Sequence, residues 1–69
     1  MPDHVYKHID ITGSSTQSSD DAIRVAIKKA GESLRGIRWF KVKEVRGQVN
    51  GDAIHYWQVT VEVGFTLER

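Results

Sequence analysis

The sequence predicts an α+β fold: strand, helix, strand, strand, with a three-stranded antiparallel sheet of order 1-3-2 packed on one helix. Three observations carry it. His4 to Thr12 alternates apolar and polar, Ser18 to Gly36 holds a narrow apolar stripe at helical spacing, and Asn50-Gly51 separates two long alternating runs.

In the first run Val5, Ile9 and Ile11 fall on one side and Tyr6, His8, Asp10 and Thr12 on the other, the pattern of a half-buried strand. Gly13 to Ser19 is a run of turn formers and predicts a loop that ends in a helix cap, with Ser18 or Ser19 as the N-cap. Asp20 and Asp21 then stand in the first turn, where negative charge suits the positive end of the helix dipole. Ile23, Ile27, Ala30 and Leu34 repeat on one stripe with Ala22 and Ala26 beside them, and Gly36 is the expected left-handed stop.

The last two strands are expected at Ile37 to Val45 and Ala53 to Leu67. An Asn50-Gly51 type I′ turn would set Trp39 opposite Glu62, Phe40 opposite Val61, Val42 opposite Val59, Lys43 opposite Gln58 and His55 opposite Arg46. The last strand is the most apolar, with Val59, Val61, Val63, Phe65 and Leu67 in phase, so it belongs in the centre. The helix is expected to cover Val5, Ile9, Ile11, Phe40, Val42 and the valines of that strand. The opposite face carries Trp39, Lys41, Lys43, Gln58, Thr60 and Glu62, a large aromatic among polar groups.

At 69 residues the chain is expected to be one domain, 1–69, with a modest core. It has no Cys, so neither disulfides nor a cysteine zinc site can brace it, and self-association is the remaining support. A net charge of +1 weighs against nucleic acid or an acidic membrane as obligate partner. No run is long enough to span a bilayer and the start lacks the apolar core of a signal peptide, which leaves the expectation of a soluble, cytoplasmic protein.

Few constellations could carry chemistry. His4 and His8 share a strand face but stand roughly 13 Å apart at strand rise, too far for one metal ion. Asp20 and Asp21 point about 100° apart on a helix and cannot act jointly on one bond. The serines of the loop have no nucleophile-elbow pattern, and His55 reads as an edge residue. No catalytic residue and no metal ligand is assigned. Trp39 remains, with Arg38, Lys41, Lys43 and Arg46 around it. It reads as a subunit contact, as a stacking platform for a flat ligand, or as a nucleic-acid contact, the last weakened by Glu44, Asp52 and Glu62 nearby. Trp57 falls on the core phase beyond the helix and reads as packing or interface.

Several stretches in joint order resemble the dodecins, small flavin-binding proteins. They are Gly13-Ser14-Ser15, Asp21-Ala22-Ile23, Trp39-Phe40-Lys41-Val42, Val45-Arg46-Gly47 and Tyr56-Trp57-Gln58-Val59-Thr60-Val61-Glu62-Val63-Gly64-Phe65. The likeness covers nearly the whole chain. It implies a hollow homododecamer that stores and buffers flavin and quenches its photochemistry rather than acting as an enzyme. The implied ligand is FMN, with FAD or riboflavin as alternatives and coenzyme A as a further ligand. By the same resemblance Trp39 matches the tryptophan that sandwiches paired flavins near two-fold axes. Gln58 matches the glutamine that bonds the polar edge of the ring, and Arg46 matches a basic position near the ligand. The rival readings are a small oligomeric nucleic-acid-binding module and a purely structural oligomer.

Trp39 and Gln58 share a face in the expected register but lie four positions, roughly 13 Å, apart. One small ligand could use both only if a second copy brought its own patch alongside, as a two-fold interface does.

Overall fold

The computed structural model describes residues 4–67. The elements are β1 (Tyr6–Ser15), α1 (Ser19–Gly31), β2 (Ile37–Asn50) and β3 (Ala53–Thr66), in the expected order. β3 lies between β1 and β2 and both pairings are antiparallel, as its apolar run requires. Val59, Val61 and Val63 have no exposed surface and, with Ala22 and Ala26, form the core. Among the described residues no helix is long and apolar enough to cross a membrane.

β1 runs on through Gly13 to Ser15, where turn formers predict a loop. The reason is packing. A Cβ on Gly13 would come 2.2 Å from the Ala22 carbonyl oxygen and 2.9 Å from the Ala26 Cβ, so the helix rests directly on the strand there. The small residues Ala22 and Ala26, not the Ile23–Ile27 stripe, therefore form the buried line of the helix, and Ile23 and Ile27 flank it half-buried.

Ser18 caps α1, its hydroxyl accepting from the Asp21 amide at 2.9 Å. Buried Ser15 ties the strand end to the same turn: its hydroxyl donates to Asp21 Oδ2 at 2.7 Å and accepts from the Gln17 amide at 2.9 Å. Such a cap contributes about 1 kcal/mol. The helix stops at Gly31, so Leu34 lies beyond it while still packing on the core. Gly36 takes the left-handed conformation, φ 73°, as the entry to β2, not as the helix cap. Nothing in the structure explains Gly31, whose Cβ would meet open space.

The β2–β3 register differs from expectation. Only Gly51 has positive φ at the turn, so Asn50 stays in the strand paired with Ala53 and the loop residues are Gly51 and Asp52, the pattern of a type II′ turn. Three irregularities follow, leaving His55, Lys43 and Arg38 as the extra residues. The turn shift and the His55 bulge set Arg46 opposite Gln58, the Lys43 bulge then sets Val42 opposite Val61, Phe40 opposite Val63 and Trp39 opposite Gly64, and the Arg38 bulge acts only beyond Trp39. The Lys43 bulge also returns Val45 to the apolar side, opposite Val59, and puts Glu44 and Arg46 on the polar side.

The helix does not cover β2. Phe40, Val42 and Val45 are 50%, 40% and 56% exposed, against full burial of the β3 valines beside them. Geometry explains the shortfall. A helix about 10 Å wide covers two strands spaced about 4.8 Å apart, not three. Val49 and Ile54 at the hairpin end are exposed because a 13-residue helix, roughly 20 Å long, does not reach along a 14-residue strand of about 46 Å.

Candidate functional site

The face of the sheet away from α1 is polar and paired across its strands. Lys43 Nζ reaches over β3 to Asp10 Oδ2 on β1 at 3.0 Å. That hydrogen bond first, and then the carboxylate charge, hold Lys43 above the ordinary ammonium range. Thr12 and Thr60 share a 2.8 Å hydroxyl bond, and His8 Nδ1 stands 2.8 Å from Glu62 Oε2. Arg46 donates from Nε to Gln58 Oε1 at 3.0 Å and from its guanidinium to Glu44 at 2.6 Å.

Trp39 sits at one end of this face and owes its place to Gly64. A Cβ on Gly64 would lie 2.0 Å from Trp39 Cε2 and 2.2 Å from Cζ2, so the indole occupies the space a side chain there would fill. His8 on β1 pairs with Gly64 from the other side, and its ring lies 6.3 Å from the indole at 41°. Tyr6 meets the indole edge-on at 6.4 Å and 68°. Two rings thus border a Trp that keeps 37% of its surface exposed.

The expected site residues are therefore split. Gln58 and Arg46 are hydrogen-bonded to each other, a pairing the Asn50-Gly51 register missed by setting Lys43 opposite Gln58. Trp39 pairs six residues further along β3, roughly 20 Å from Gln58 at strand rise. The separation is larger than the roughly 13 Å expected, which makes a shared ligand within one protomer less feasible still. Sequence reasoning missed Tyr6, His8 and Gly64 as neighbours of Trp39. An isolated glycine inside a strand pattern was the available signal, because it marks a close approach.

The remaining marked residues stay apart from this site. Trp57 is half-buried between Ser15 and Gly47. His55 is exposed at the hairpin end, its ring 5.1 Å from Tyr56. Among the described residues no group of His, Cys, Asp or Glu could hold a metal ion. The two larger clefts, about 500 and 470 Å³, flank the helix, one against Phe40, Ile23 and Ile27 and the other against Ile9, Ile11 and Leu34. Neither contains Trp39, which stands on an open sheet surface.

Fold and surface together define a small strand–helix–strand–strand protomer with an aromatic platform on the bare face of its sheet. The dodecin family model matches residues 5–68. A dodecin of Thermus thermophilus is 41% identical over 65 residues, 94% of each chain. The solved dodecin of Streptomyces davaonensis superposes with a TM-score of 0.93 at 46% identity, covering 99% of this chain and 100% of that one. That of Streptomyces coelicolor gives 0.93 at 38%, covering 100% and 99%. The chain belongs to the dodecin family.

Proposed function

We propose that the protein is a flavin-binding storage and sequestration protein, not an enzyme, in which Trp39 side chains of symmetry-related copies sandwich the flavin ring in a closed homododecamer. The observation that carries this is the indole laid over Gly64, bordered by Tyr6 and His8 and more than a third exposed. The platform suits a flat heteroaromatic ring, and membership of the family supports flavin as that ring.

A lone platform on an open surface buries one face of a ligand; a second copy buries the other. Because Trp39 and Gln58 are roughly 20 Å apart on one protomer, a two-fold neighbour is also what brings Gln58 and Arg46 of one copy toward the platform of another. Gln58 supplies an amide to the polar edge of the ring, and Arg46 supplies charge near the phosphate of FMN, the expected preferred ligand. FAD, riboflavin and coenzyme A are the further candidates. The nucleic-acid alternative is weakened because Lys43 and Arg46 each already bond a carboxylate on this face.

Titration of the purified oligomer with FMN, riboflavin and FAD, followed by flavin emission, tests the reading. A yellow protein with quenched emission is expected. Trp39→Ala should weaken FMN by about 2–4 kcal/mol with the oligomer's size unchanged, and Gln58→Ala by about 0.5–2 kcal/mol. Bound nucleic acid in place of flavin, or an oligomer of Trp39→Ala that still quenches FMN fully, overturns it.

A further inference from the structure

Of the two rings that border the indole, Tyr6 and His8, only that of His8 is tied to a carboxylate among the described residues, and its geometry is specific. Nδ1 is tied to Glu62 Oε2 at 2.8 Å, and Glu62 is only 16% exposed while the His8 side chain is 57% exposed. A carboxylate at that distance selects the tautomer with the proton on Nδ1, so Nε2, at the far corner of the ring, is the atom left for solvent or ligand. A tricyclic ring is longer than a bicyclic indole. When stacked on Trp39 it overhangs the border, and the border is formed by His8 and Tyr6.

We propose that His8 is a ligand-contacting, affinity-setting residue of this platform, presenting Nε2 to the polar edge of the flavin ring. The inference rests on the flavin-binding reading above. Protonated, Nε2–H donates to a ring carbonyl oxygen, and Glu62 balances the charge. Neutral, Nε2 offers only a lone pair to that oxygen, and Glu62 loses its nearest cationic partner, with Lys41 opposite it and Lys43 left to offset its charge. Ring affinity therefore falls as pH rises through the range between 5 and 8 where histidines change charge. The other charged or titratable groups facing this end are Tyr6, His4 and Asp10 on or next to β1, Glu62 on β3, and Arg38, which donates to Thr66 Oγ1 beside Tyr6, Lys41 and Lys43 on β2. Lys43 is engaged by Asp10, and α1 lies across the opposite face.

Riboflavin is the decisive probe, since it carries the ring without a titrating phosphate. Its dissociation constant, read by quenching from pH 5.5 to 8.5 with the oligomer's size checked at each pH, is expected to rise about three- to tenfold. His8→Gln, which keeps a donor for Glu62 but does not titrate, is expected to abolish the slope. Calorimetry of riboflavin binding in two buffers of different ionisation enthalpy reads the same event without a variant, as proton uptake by the wild-type protein. Riboflavin binding that is flat with pH and takes up no proton overturns the inference while leaving the flavin reading intact. So does a slope that persists in His8→Gln, or a slope seen with FMN and absent with riboflavin, which would move the effect to the phosphate. Failure of every flavin to bind at any pH overturns the parent reading itself.

Discussion

β1 and β2 both flank the central strand and both turn apolar residues to the helix side, yet only one is covered. Ile9 and Ile11 pack on the core from β1, and Gly13 lets the backbone of that strand touch the helix. Phe40, Val42 and Val45 on β2 stand 40–56% exposed beside a cleft that runs to Ile23 and Ile27. A helix about 10 Å wide covers two strands spaced about 4.8 Å apart, not three. The close contact at Gly13 decides which two. The contrast teaches that burial in this protomer goes further on one side, where Ile9 and Ile11 are half-buried, than on the other, where Phe40, Val42 and Val45 are exposed, and that the more open side is apolar. Exposed apolar area of this kind on so small a chain marks a contact surface, which is where neighbouring copies belong in the homo-oligomer proposed above.

The largest effect is expected from charging the open side. Val42→Asp would place an unpaired carboxylate in a contact between copies, at a cost of several kcal/mol per copy. Light scattering should then report species near the 7.8 kDa of one protomer, with loss of folded structure. Val25→Asp on α1, at a site 45% exposed and outside the core, is the control and should assemble normally. If Val42→Asp assembles as well as Val25→Asp, the β2 face is not a subunit contact.

The covered side breaks differently. Gly13→Ala forces a methyl against the Ala22 carbonyl and Ala26, and should destabilise the protein by about 1–3 kcal/mol in denaturant unfolding while the assembled species keeps its size. A neutral outcome would mean that helix and strand can separate cheaply there.

A smaller effect is expected at Gly64, where the obstacle is the end of a side chain and not backbone. Gly64→Ala should lift the indole from its place with little change in stability. FMN affinity should fall by about 0.5–1.5 kcal/mol, less than on removing Trp39. Unchanged affinity would show that the position of the indole over the sheet is not what the ligand reads.

What the sequence determined by itself is what depends on neighbours along the chain. Alternation gave the strands and their apolar faces, the Ser18 cap and the acidic first turn began the helix, and the apolar run of β3 placed it in the centre of the sheet. Trp39 and Gln58 were legible as residues of the bare polar face, whereas Arg46 was given a place near the ligand only through the resemblance to the dodecins and reaches that face because of the Lys43 bulge. The tertiary structure alone decided how those pieces met. One residue of difference in which positions form the Gly51-Asp52 turn, compounded by bulges at His55 and, for Trp39, Lys43, moved the β2–β3 partners of both Trp39 and Gln58. A bulge forms when the local twist and packing of two particular strands favour it, and no periodicity within one strand encodes that. The same holds for Gly13 and Gly64. Each is a missing side chain whose meaning depends on what another element brings against it, the helix in one case and the indole of Trp39 in the other.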